Sequence, residues 1–112
     1  MESILTSIKK LLGITEEYEH FDADIIMYIN TALNVLTQLG VGPKEGFQIE
    51  DKTAIWSDFI TDTRLNMIKS YVHMKVKILF ESNTMSGTAI EAINKELANL
   101  EWRINSVVDY EN

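Results

Sequence analysis

His20 and His73, the Asp22 and Asp24 pair, and the Lys69, His73, Lys77 spacing are the positions of this 112-residue sequence whose side-chain types suggest chemistry. A histidine near carboxylates can hold a divalent metal or relay a proton, and paired carboxylates can share acid–base work. The spacings argue against both. The two histidines fall in different predicted elements, and His73 stands between Lys69 and Lys77, a positive setting unsuited to a cation. Asp22 and Asp24, two residues apart at a predicted helix start, diverge around the helix and suit its free N–H groups and positive dipole end. Lys69, His73 and Lys77, at four-residue steps, read as a solvated helix face. No GxGxxG, P-loop, HExxH or GxSxG occurs, and Gly13, Gly40, Gly42, Gly46 and Gly87 fall where turns need them. The chain therefore reads as a non-enzyme with no catalytic, cofactor-binding or metal-ligating residues and no cofactor.

Charge and composition narrow the classes further. Seventeen acidic against ten basic residues give a formal net charge of −7, with acids grouped at Glu16, Glu17, Glu19, Asp22 and Asp24 and again at Glu45, Glu50 and Asp51. Nucleic-acid binding draws its affinity from Lys and Arg set against phosphates, so specific DNA binding is not expected. Zero cysteines exclude disulfides and thiolate sites. No apolar run approaches the ~20 residues that span a bilayer, so no membrane role is expected. At the N-terminus Lys9 and Lys10 follow the first apolar residues, the reverse of a signal peptide, and export by that route is not expected. A length of 112 residues predicts a single domain, 1–112, with one core.

The elements that must position any surface read as helices. Ser3 or Thr6 can cap a first helix that ends at Leu12 and Gly13, with Leu5, Ile8, Leu11 and Leu12 on its buried side. After a polar joint, Asp22 is predicted to cap a helix running to about Gly40, on which Ile25, Ile29, Leu33, Leu36 and Leu39 form one stripe, with Phe21 and Ile26 as a hydrophobic staple. Gly42, Pro43 and Gly46 then forbid a helix, and alternation at Phe47 and Ile49 allows a short extended segment. A short helix should carry Ile55, Trp56, Phe59 and Ile60, followed by a turn at Thr61, Asp62 and Thr63. Arg64 to Phe80 shows two apolar stripes, one through Leu65, Ile68, Val72, Val76 and Leu79 and one through Met67, Tyr71, Met74 and Ile78, so that helix is either central in the subunit or shared with a neighbour. Thr88 and Glu91 have capping-box spacing for a last helix whose seam is Ile90, Ile93, Leu97, Leu100, Ile104 and Val107. Trp102 lies off that seam and is a candidate interface anchor. The expected fold is all-α, a compact bundle of about four to five helices with a short extended loop segment.

The order of these pieces resembles a known family. A short helix ending Leu12-Gly13-Ile14, an acid-rich joint, the start Asp22-Ala23-Asp24-Ile25-Ile26, the stop Gln38-Leu39-Gly40-Val41-Gly42, the run from Lys69 to Lys77 and the closing Leu100-Glu101-Trp102-Arg103-Ile104-Asn105 are together similar to the small head-tail connector (adaptor) proteins of tailed phages and prophages. The resemblance covers nearly the whole chain. It implies a structural virion protein that forms a ring of its own copies, expected to be dodecameric, under the portal protein after DNA packaging. Such a ring extends the DNA channel and docks a stopper or tail-completion protein, while DNA passes without specific binding. It further implies a location at the head–tail interface of the virion, with the host cytoplasm as the site of assembly. A ring needs two different complementary patches per subunit. On this resemblance the face around Tyr71 and Met74 supplies one and the Val41 to Ile49 loop, with Phe47 projecting, the other, while Trp102 and Arg103 on the last helix contact the portal or the next subunit. The alternative from another class is a small helical adaptor or regulatory module that binds one protein partner and forms no ring.

Overall fold

The computed structural model describes residues 2–61 and 64–111, with backbone alone for 108–111. Among the described residues, five α-helices follow in chain order: α1 (Ile4–Leu11), α2 (Asp22–Gln38), α3 (Trp56–Phe59), α4 (Leu65–Glu81) and α5 (Gly87–Glu111), with a 3-10 turn, Ser82–Thr84, between the last two. The all-α bundle expected from periodicity is the fold found.

Capping chemistry sets the boundaries. Ser3 Oγ accepts from the Thr6 N–H at 3.2 Å and starts α1. The second helix closes with Gly40 at φ +91, where the Gly40 N–H donates to the Thr37 carbonyl at 3.0 Å and the Val41 N–H to the Leu36 carbonyl at 2.9 Å. That pair of bonds is the Schellman arrangement, which a glycine in the left-handed region permits. Two expected caps are corrected. Phe21 occupies the cap position of α2 without a side-chain bond, and Asp22 is its first helical residue, with its carboxylate directed to Lys9 instead. At α5 the cap is Ser86, whose Oγ accepts from the Ala89 N–H at 3.1 Å, so the helix begins before the Thr88 and Glu91 pair can act as a capping box. The turn expected at Thr61 to Thr63 falls, for Asp62 and Thr63, outside the described residues.

Helix α4 is the centre of the molecule, packing against α1, α2 and α5. Ile68, Val72 and Val76 from one of its stripes and Tyr71 from the other are fully enclosed, and Ile78 is nearly so. Both apolar sides are thus largely covered within the subunit, with Leu65, Met67 and Met74 partly buried and Leu79 of the first stripe exposed, against its expected burial. Ile25, Ile29, Leu33 and Leu36 of α2 are buried as the stripe predicts, joined by Ala32, while Leu39 at the end of the stripe is only half-buried, and Leu97, Leu100 and Ile104 form the α5 seam. Phe21 meets Phe80 edge-on with ring centroids 5.1 Å apart, closing the start of α2 over the end of α4.

The connection from Val41 to Ile55 turns at Pro43–Gly46 and again at Asp51–Thr53, and between them Phe47 to Glu50 forms no named strand among the described residues. Asn30 substitutes for a strand partner: its Nδ2 donates to the Ile49 carbonyl at 3.0 Å and its Oδ1 accepts from the Ile49 N–H at 2.8 Å. Further on, Ser3 and Ile55 form an isolated antiparallel bridge, with the Ile4 N–H bonded to the Ala54 carbonyl and the Trp56 N–H to the Glu2 carbonyl. The N-terminal segment is thereby tied to the start of α3.

Candidate functional site

Tyr71 is wholly buried and donates from its hydroxyl to Glu101 Oε2 at 2.8 Å, across the α4/α5 seam. Burial, followed by the neighbouring Glu101 carboxylate, raises its pKa well above the ordinary phenol range. Tyr71 is therefore core in this subunit, a correction to its expectation as a surface contact. Met74, its neighbour on the same face, keeps part of its surface open. Phe47 packs against Phe59 with ring centroids 5.3 Å apart and is half-buried, so the loop ring lies against the body of the subunit. The backbone there is tight: Gly42 has φ +81, and a Cβ on it would stand 2.5 Å from the Phe59 ring.

Trp102 and Arg103 are both exposed, and Trp102 retains 70 % of its accessible surface. The reason is angular. Leu100 and Ile104 face α4, and at ~100° per residue Trp102 lies about 200° from either, on the far side of α5. Ala98, Asn99 and Asn105 are exposed beside it, all of them small or uncharged. An indole in such surroundings meets an approaching surface with few charges to desolvate.

A second surface, legible only in three dimensions, lies on the opposite flank. Glu2, Ser7, Lys10, Leu11, Trp56 and Lys69 line a half-enclosed cavity of about 470 Å³ between α1, α3 and α4. Its floor is Trp56, 3 % exposed, whose Nε1 donates to Ser7 Oγ at 2.8 Å. Lys69 Nζ stands 5.7 Å from the centroid of that ring and pairs with the Glu2 carboxylate. At the rim is Leu11, 53 % exposed, although its spacing predicts a buried side chain. These residues are spread from position 2 to 69, and no local pattern joins them.

The positions singled out for chemistry are structural. His73 is half-buried, and its bond to the Leu11 carbonyl joins α4 to the end of α1. Desolvation and then Lys77 lower its pKa. His20 packs edge-on to Phe21 at 4.7 Å. Asp22 pairs with Lys9 at 2.8 Å, and that lysine, 2 % exposed, also donates to the Glu16 and Tyr18 carbonyls at 3.0 and 2.8 Å. Two donated bonds and one ion pair from this ammonium therefore hold the acid-rich joint in place. Among the described residues, no three His, Asp or Glu side chains are grouped to hold a metal, and no helix is long and apolar enough to cross a membrane.

Comparison with curated proteins and with solved structures yields no match. The family described as phage connector protein, in contrast, matches residues 4–111, from the first residue of α1 to the last of α5. The described residues form an all-helical subunit with Trp102 exposed on its longest helix, in agreement with that match, and the chain belongs to the phage connector protein family, whose members are structural.

Proposed function

We propose that this connector subunit assembles with copies of itself into a ring beneath the portal protein, extends the DNA channel there and offers a docking surface to a stopper or tail-completion protein. The observation that carries this reading is Trp102. A ring with 70 % of its surface in water, on the side of α5 turned away from the core, is a large apolar group left over for a partner. Family membership supports a connector role, and Trp102 with Arg103 supplies the contact chemistry, since aromatic and arginine side chains dominate interface energetics. The net charge of −7 suits passage of DNA without specific binding, because exposed carboxylates such as Glu16, Glu17 and Glu19 repel phosphates. The free subunit is monomeric in this reading and orders into a ring on the portal.

Electron microscopy and sedimentation of the purified chain, alone and mixed with portal, test the proposal. Rings or portal-bound density, lost in Trp102→Ala with an unchanged circular dichroism spectrum, support it. A chain that stays monomeric at high concentration and binds no virion component overturns it. Binding of a single partner without self-association would favour the adaptor without a ring.

A further inference from the structure

We infer that Trp102 of one copy is received by the cavity between α1, α3 and α4 of the next copy, so that the subunit joins head to tail through two different flanks. The inference rests on the ring reading above and names its contact. Three observations lead to it.

The first is placement. On α4, Tyr71 faces α5 through its bond to Glu101, whereas Lys69 meets Glu2 before α1 and Trp56 of α3, and His73 meets the Leu11 carbonyl at the end of α1. At ~100° per residue, Tyr71 lies about 160–200° round the helix from each of them. The cavity and α5 are therefore on opposite sides of α4. Trp102 in turn points away from α4, on the outer side of α5. A single chain cannot fill its own cavity with its own indole. A contact between two different patches is heterologous, and it closes into a ring when the rotation between copies permits.

The second observation is fit. The cavity, about 470 Å³ and half-enclosed, is large enough to take an indole, and exposed Leu11 provides apolar surface at its rim. Lys10 and Lys69 border it, so the electron-rich face of an incoming ring meets ammonium groups, as the Trp56 face already meets Lys69. The third is charge. Glu2, already paired with Lys69 inside the subunit, stands at the same cavity with 52 % of its side chain exposed, so Arg103, adjacent to Trp102, can share that carboxylate from the neighbouring copy. Small or uncharged Ala98, Asn99 and Asn105 around Trp102 allow the two surfaces to approach closely.

The absence of cysteine in the sequence makes cross-linking a clean test. Lys10→Cys and Arg103→Cys are prepared singly and together, and oxidised under conditions in which the parent forms rings, with portal present if it is needed. Mixing the two single variants should give a disulfide-linked heterodimer, and the double variant a ladder of linked copies. Homodimers of either single variant in place of the heterodimer would overturn the inference, because the contact would then join like to like. Rings that form without any Lys10→Cys to Arg103→Cys link would overturn this contact and leave the ring reading standing. No oligomer under any condition would sink both. As a second measure, Trp102→Ala should weaken self-association at least about thirtyfold, the scale of a buried interface anchor. Arg103→Glu should weaken it as well, and Glu2→Lys in the same chain should restore it. Failure of that restoration, with both variants folded, counts against the pairing.

Discussion

Replacing Lys9 by methionine isolates what holds the joint between α1 and α2. Methionine keeps most of the aliphatic length in a site that is 2 % exposed, and it removes the ammonium that donates to the Glu16 and Tyr18 carbonyls and forms an ion pair with Asp22. Hydrogen bonds to a charged group contribute about 1.5–3 kcal/mol each, and breaking a buried pair from one side costs about 3–5 kcal/mol. Those figures must be discounted. Asp22 is 25 % exposed, and the Glu16 and Tyr18 residues are on the surface, so water can reach part of what the lysine leaves behind. A loss of about 2–3 kcal/mol is the expected result, equivalent to roughly 10 °C in Tm for a domain of this size. Urea titration followed by circular dichroism measures it as a lower midpoint with an unchanged slope. Asp22→Asn, which removes one charge and leaves both carbonyl bonds, should cost less than half as much. If Lys9→Met lies within about 0.5 kcal/mol of the parent, the value of an ordinary surface substitution, the joint is not held by this lysine and the argument fails.

Three further predictions address other contacts. The raised pKa of Tyr71 means that the folded state keeps a proton which the unfolded chain releases near pH 10, so its contribution is complete below that pH and declines above it. Tyr71→Phe should cost about 1 kcal/mol at pH 7 and flatten the alkaline fall in stability relative to the parent; equal slopes above pH 10 would refute the assignment. Gly42→Ala places a Cβ against the Phe59 ring at a left-handed φ and should cost about 2–4 kcal/mol, whereas Gly46→Ala, at φ +97 with open space, should cost only about 1 kcal/mol. Equal losses in thermal melts would contradict the packing explanation. Asn30→Ala removes both bonds to the Ile49 backbone and should cost about 2 kcal/mol and speed amide exchange at Ile49; unchanged exchange would rule out the clamp.

Much of the architecture was legible because it is local. The Ile25, Ile29, Leu33, Leu36 stripe and the Gly40 stop require only helical periodicity and one left-handed residue, and both are found. Trp102 could be placed off the α5 seam by counting from Leu100. Two stripes on α4 showed that it is covered twice, but not by what, since neighbours from the same chain and from another satisfy periodicity equally. The misses have a common origin in contacts between distant positions. Lys9 reads as a surface charge unless the carbonyls of residues 16 and 18 and the carboxylate of residue 22 are known to converge on it. Leu11 reads as core because its spacing follows Leu5 and Ile8, yet the end of α1 emerges beside a cavity instead of under a neighbouring helix. The Thr88 and Glu91 spacing was a sound capping signal that Ser86, two residues earlier, pre-empted.

The bond between Tyr71 and Glu101 makes the alignment of the last two helices an all-or-none matter. Sliding α5 along its seam by one turn, about 5.4 Å, would still match leucine and isoleucine to apolar neighbours, but it would strand a phenol in a dry interior. Grease alone tolerates several alignments, and this one polar latch selects among them. The height at which the indole of residue 102 stands above the subunit is therefore prescribed by a hydroxyl thirty-one positions earlier in the chain, and repeated copies would inherit the same spacing.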